Sequence, residues 1–507
     1  MEKLFYPDFF NDVFGPIMQP GSSGAFAGTS RVGRVAGSLV RGKLEEVHFL
    51  FNQSDRGSFD RLGNMMEDRG YLGGALGFTT DDYRLFEAHE IAREQKISYD
   101  FKLSEMVNGY PGSITIRVKG RNREEGFLKG ASVGGGMIRI YEINGYPLKW
   151  QSDTYGILVE VQDKKTIGRQ KEAFEREQGD DHIQTLSLKK NGEEESSAYF
   201  IELSREPEEG DADRAFAGQR VTILPAVLPV VTTRQKRPQL FQTVAQWREV
   251  AEKKNISFVQ AAIEYEKASS GWTEEEIWAY FEKIADIFEK QIHALERMGY
   301  ENAKDTPLLP IYGKLWKKYL DTQKPISDTL TRHILTHAYA VNAKLPGVLI
   351  VPGPMGTGGG YLFSALDAVR EERGYSHERL IESLVVAAGL GALAYTHTNA
   401  SGEVGCVGES GVCCAMASGA VAWLAGGDGV AVERAAVTAP MYAEMALAGI
   451  DPLIPYHECL QAIERHFRAV PNALLRGSAC GCNCTPTAER CRAFLKEQMA
   501  DSLQHQA

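Results

Sequence analysis

At 507 residues the chain is longer than one hydrophobic core usually organises, so two or three domains are expected. Its 43% hydrophobic and 24% charged residues exclude a fibrous or wholly disordered protein. The net charge of -11 comes from dispersed carboxylates with no Lys/Arg stripe, so no nucleic-acid partner is expected. The opening MEKLFYPDFFNDVFGPIMQPG has no basic segment followed by an apolar run, and LIESLVVAAGLGALAY reads as a buried helix rather than a bilayer span. A cytoplasmic protein without membrane contact follows as the expectation.

Residues 1–150 read as an α/β domain. A Gly/Ser-rich loop, QPGSSGAFAGTSRVGRVAGSLV, precedes a helix expected over 31–40, whose N-terminus could hold a carboxylate or could simply start a helix. EEVHFLFN, SYDFKL and SITIRVKG are strand-like, and ASVGGGMIRIYEINGYPLKW reads as a glycine turn followed by a hairpin. Residues 151–205 read as a small βαββ module. The acidic REPEEGDADRAFAGQR and the proline-interrupted LPAVLPVVTTRQKRP make residues 206–238 a linker. From residue 239 to 507 helical periodicity dominates, and Thr273 opens a T-x-x-E capping box. The fold class is therefore multidomain α+β with a mostly helical C-terminal domain.

Three stretches of the helical half carry chemistry. In VLIVPGPMGTGGGYLFSAL an apolar run enters a loop with five glycines between 353 and 360 and then a helix, so amides of Met355, Gly356, Thr357, Gly358 and Gly359 could converge on an anion. The spacing matches neither a P-loop nor a dinucleotide fingerprint, and a packing bend is the alternative. In THTNASGEVGCVGESGVCCAMASG, Cys406 lies between Glu403 and Glu409, downstream of His397 and Asn399; Cys413 and Cys414 read as small core residues. In GIDPLIPYHECLQAIERHF, Cys459 sits at a helix start, where the dipole favours a thiolate. All eight cysteines lie beyond residue 405, four of them in RGSACGCNCTPTAERCR, which points to metal or redox chemistry; no finger-type spacing for zinc repeats, and an iron–sulfur cluster fits somewhat better.

With these residues in view, the chain resembles the iron–sulfur-dependent L-serine dehydratases, with the family's β and α parts fused. The resemblance rests on SSGAFAGTSRVGR and ASVGGGMIRIYEINGYPLKW in the first part, and in the second on AEKKNISFVQAAIEYEKASSGWTEEEIW, YAVNAKLPGVLIVPGPMGTGGG and NASGEVGCVGESGVCCAMASG. It implies a serine dehydratase β-type domain, an ACT-like module at 151–205 and an α-type helical domain at 239–507. It also implies a lyase that converts L-serine to pyruvate and ammonia with a [4Fe-4S] cluster and no pyridoxal phosphate. A small amino acid is the implied ligand, and a homodimer is expected. Ser22, Ser23, Asn342 and the loop from Met355 to Gly359 would bind substrate. Lys344, His397 and Asn399 are the nominees for catalysis. Cys406, Cys459, Cys482 and Cys484 are the nominees for the cluster, the tail thiols replacing a family cysteine that falls at Ile450. Two family histidines are missing, one at Ala25 and one in a His-Gly-Thr motif that falls on Met65, Met66 and Glu67. That leaves two alternatives: elimination of sulfide from a cysteine-like substrate, or an amino-acid-sensing or cluster-carrying protein without catalysis.

Overall fold

The computed structural model describes residues 7–53, 56–60, 62–105, 112–190, 197–231, 239–303, 311–324, 327–353, 358–397 and 406–448. The chain divides into two compact units, one of Pro16–Pro238 and one of Met1–Gly15 with Gln239–Ala507.

In the first unit, strands β1 (Leu44–Asn52), β2 (Ser98–Ser104), β3 (Ile114–Gly120), β4 (Glu125–Gly134), β5 (Met137–Ile143) and β6 (Tyr146–Trp150) form a sheet ordered β2-β1-β3-β4-β5-β6. Only β1 and β2 run parallel, which requires the helical crossover between them. Phe49 and its register partner Phe101 stack with centroids 4.5 Å apart, fixing that pairing on one face. The β5–β6 hairpin turns on Asn144-Gly145, both with positive φ (51° and 88°), the two-residue turn that this dipeptide favours.

A second sheet follows in the same unit. Strands β7 (Tyr155–Glu160), β8 (His182–Leu188), β9 (Ala198–Leu203) and β10 (Arg220–Leu224) are ordered β10-β7-β9-β8, all antiparallel, with a helix over Ile167–Gln178 and a short one over Asp211–Ala215. The result is βαββαβ rather than the four-element module expected from the sequence. The stretch read as a linker over 206–238 therefore contains a helical turn and the edge strand that pairs with β7. Its acidic residues sit on the exposed turn, while Val221 and Leu224 are buried, so composition masked a five-residue strand. One face of this sheet packs Ile157, Val159 and Ile201 on Phe174 and Phe216. The other face, through Phe200 against Trp150, joins the core of the six-stranded sheet.

The second unit is helical. Residues 7–15, expected in the first domain, belong here: Phe9, Phe10 and Phe14 are fully buried against Tyr265, Trp272, Phe281 and Phe288. The three rings carry a large apolar area, and the helices of this unit supply the aromatic partners that cover it. The capping box at Thr273 forms, with Thr273 Oγ1 accepting from Glu276 N and the Glu276 carboxylate accepting from Thr273 N. Trp247 is sandwiched between Phe241 and Phe258, at 4.9 and 3.9 Å. It presses on Gly389 of the helix His377–His397, where an added Cβ would meet its ring at 2.3 Å. That helix is long and apolar enough to cross a membrane, yet 78% of its apolar window is buried inside the protein, as in a core helix.

Candidate functional site

The glycine loop of the helical unit ends in the helix Gly358–Arg373. Gly358, Gly359 and Gly360 are buried, and Gly359 N donates to Pro352 O at 2.8 Å. A Cβ on Gly359 would lie 2.4 Å from Val351 O, and one on Gly360 would lie 2.7 Å from Gln291 Oε1 and 2.9 Å from Val341. Close approach of helices at this point is therefore what the glycines allow. Val341 precedes Asn342, the last residue of the helix Thr329–Asn342, so that helix end abuts the start of the next. The Asn342 Oδ1 is shielded from solvent and has no hydrogen-bond partner among the described residues. Two residues on, Lys344 is buried with φ of 47°, in the left-handed region.

The thiol of Cys413, on the helix Cys406–Leu424, donates to Gly358 O at 3.2 Å. Burial, with the neighbouring Cys414 adding to it, pushes that thiol up to about 12. Cys413 is thus a packing residue on the glycine loop. Cys414, expected in the core, is instead exposed, because the neighbouring position on a helix points about 100° away. His397 closes the helix His377–His397, and its Nε2 lies 2.5 Å from Gln242 O, which makes Nε2 the protonated nitrogen. Cys406 is the first residue of its helix, the end at which the dipole favours negative charge. Asn399, Met355, Gly356, Thr357, Cys459, Cys482 and Cys484 lie outside the described residues.

In the sheet unit, Ser22 Oγ caps a tight helical turn over Ser23–Gly28 by accepting from Ala25 N, and the regular helix follows over Thr29–Gly37, not 31–40. Ser23 is buried. The glycine turn at 134–136, with all three φ positive, packs on this segment: Ser132 Oγ donates to Gly24 O and Arg31 Nη1 to Gly136 O. Two motifs separated by about a hundred residues thus form one surface. Met66, buried, sits next to it with φ of 60°; a Cβ on Gly21 would lie 3.3 Å from its methyl. The resemblance places the glycine of a His-Gly-Thr motif at this position, and a φ of 60° is the left-handed backbone that glycine adopts most readily.

One cluster was not singled out in the sequence. His333 and His337 lie one turn apart on the helix Thr329–Asn342, and Asp367 and Glu371 one turn apart on the helix Gly358–Arg373. His293 joins them from the end of the helix Glu274–Ile292, its ring 5.0 Å from that of His337. Burial, and then the His333 charge, push the His337 imidazole down to about 4, so it is neutral at pH 7. The readable signal was the pair of i, i+4 spacings, H-x-x-x-H and D-x-x-x-E.

Comparison with known proteins gives these arrangements a context. Residues 253–441 match the family described as serine dehydratase alpha chain. The L-serine dehydratase beta chain of Peptoniphilus asaccharolyticus is 32% identical over 157 residues, 31% of this chain and 69% of that one. The probable L-serine dehydratase beta chain of Bacillus subtilis is 35% identical over 153 residues, 30% of this chain and 68% of that one. The probable alpha chain of the same organism is 26% identical over 286 residues, 49% of this chain and 93% of that one. One polypeptide therefore carries likenesses to two chains that are separate in those bacteria.

Proposed function

The chain belongs to the serine dehydratase family and is a lyase of that kind, and from this premise we propose that it eliminates water from L-serine to give pyruvate and ammonia. The observation that carries the proposal is the Asn342 Oδ1, shielded from solvent and without a hydrogen-bond partner among the described residues, beside the start of the helix Gly358–Arg373. Serine is a zwitterion. A carbonyl oxygen accepts from its ammonium, and the amides proposed for its carboxylate are those of Met355, Gly356, Thr357 and Gly358; Gly359 drops out of that set, since its N–H is donated to Pro352 O. Ser22 and Ser23 are proposed as further carboxylate donors.

For the proton at Cα the nominees are Lys344 through Nζ, His397 through Nδ1, its Nε2 being turned to Gln242 O, and Asn399 as an orienting group. A [4Fe-4S] cluster held by three thiolates, Cys406, Cys459 and one of the tail pair Cys482 and Cys484, would supply, when bound, an open iron that draws electrons from the departing hydroxyl. Cys406, opening a helix, suits a thiolate ligand by its position; Cys413, with a thiol near 12 that donates to a carbonyl, does not. The module of β7 to β10 is proposed as an ACT-like regulatory domain on the strength of its βαββαβ order.

Anaerobic purification and cluster reconstitution, followed by pyruvate and ammonia assay on L-serine, tests the reading. About four iron and four sulfide per chain, lost on truncation before Cys480, are expected along with turnover. An intact cluster with no elimination from L-serine or its β-substituted analogues would overturn it. A second reading, sulfide elimination from L-cysteine, is favoured by the buried Met65 and Met66 where the family has a histidine and a glycine, since thioethers are softer neighbours for a thiol than imidazole. Sulfide release exceeding pyruvate release from serine would select it.

A further inference from the structure

The cluster in the helical unit lies away from the glycine loop: Asp367 is nine residues beyond Gly358, about 13 Å along the same helix. One ligand-type atom from each of His293, His337 and Asp367 lies within 4.8 Å of the other two. Two of these side chains are almost wholly buried, and each leaves an atom without a hydrogen-bond partner among the described residues: His337 Nδ1 and Asp367 Oδ2. They face each other at 3.9 Å, too far for a hydrogen bond. That separation fits two donors on one ion, since bonds of about 2.0–2.2 Å place paired ligands about 3–4 Å apart. The other carboxylate oxygen is held by Arg370, which donates to Asp367 Oδ1 at 2.9 and 2.7 Å and so orients Oδ2 toward the histidines. An outer partner of this sort is what fixes a ligating carboxylate.

We propose that His293, His337 and Asp367 form a binding site for a divalent transition metal of the zinc type. Two imidazole nitrogens and one carboxylate oxygen are a borderline donor set that suits such an ion and not calcium or magnesium, and three protein ligands leave a fourth position open. A closure of about 1 Å at the widest pair brings all three donors within bonding range. His293 stands at a helix end with its side chain 23% exposed, so it can make that movement. Entry runs past His333, whose ring stands 4.4 Å from that of His337 and which lines an open groove with Arg332 and Thr336. The site uses no cysteine and is independent of the proposed elimination reaction.

Zinc K-edge X-ray absorption on the full-length protein after equilibration with one equivalent of Zn²⁺ tests this, because the edge ignores iron and separates nitrogen and oxygen from sulfur ligands. A shell of nitrogen and oxygen at about 2.0–2.1 Å is expected in the native chain. It should vanish in H293A and in D367N, and in R370Q the affinity should fall about ten- to a hundredfold. Circular dichroism of metal-free H293A should match the native chain, since His293 lies outside the helix it follows, so loss of zinc in that variant is loss of a ligand. Zinc held only through sulfur, or a nitrogen and oxygen shell that survives both H293A and D367N, would overturn the proposal.

Discussion

Glu266 is fully buried in the helical unit, where its Oε2 accepts from Phe9 N at 2.8 Å and its Oε1 has no hydrogen-bond partner among the described residues. Desolvation first, and the nearby Asp8 second, hold its carboxyl well above the ordinary value of 4.5. In the unfolded chain the proton leaves near 4.5, whereas the folded chain retains it above that pH. The native state then binds more protons than the unfolded state. Stability from this group is complete below pH 4.5 and is lost as pH rises toward the folded value, by at most about 1.4 kcal/mol per pH unit. Glu266→Gln keeps the shape and removes the titration. Its stability relative to the native chain should be near zero at the acid end and should grow by up to about 1.4 kcal/mol between pH 5 and pH 6. Urea unfolding at several pH values reads this through tryptophan fluorescence, since Trp247, Trp272, Trp278, Trp316 and Trp423 all belong to the helical unit and Trp272 stacks on Phe10 at 5.2 Å. Other titrating groups cancel in the difference between the two proteins. Parallel pH profiles, or a native chain that gains on the variant as pH rises, would refute the reasoning.

Gly359→Ala places a methyl 2.4 Å from Val351 O and 2.7 Å from the Phe288 ring; a loss of about 1–3 kcal/mol in stability and a fall in turnover are expected from thermal melts and kinetics. Asn342→Ala removes the proposed acceptor for the substrate ammonium and should raise KM about tenfold, equivalent to about 1.4 kcal/mol, with the melting temperature changed little. Cys413, its thiol near 12, should be alkylated far more slowly at pH 8 than the exposed Cys414, which peptide mass spectrometry after iodoacetamide treatment resolves.

Local devices of the fold were legible because each depends on a few adjacent residues. Asn144-Gly145 between two alternating runs specifies a tight hairpin, and Thr273 three residues before Glu276 specifies a helix start; both form. What escaped depends on partners distant in sequence. The strand β10 offers only five residues, and it is their pairing with β7 that makes them a strand. Phe9, Phe10 and Phe14 look like any aromatic leader until Tyr265 and Phe281 supply the groove, more than 250 positions later.

The same division holds at the candidate sites. The glycines at 358–360 announced a close approach, but whether to a ligand or to other helices was undetermined by composition, and Val351, Phe288 and Val341 supply the packing half of the answer. Met66 has a φ of 60°, which favours glycine, where the resemblance places a glycine, and the buried Met65 stands where it places an imidazole. A left-handed residue with a side chain costs about 1–2 kcal/mol, which the packing around the buried Met66 must offset. The buried Met66 next to Gly21 gives the surface proposed for the substrate an apolar lining. That makes the ratio of activity on L-cysteine to activity on L-serine the quantity in which the replacement of two histidines becomes measurable.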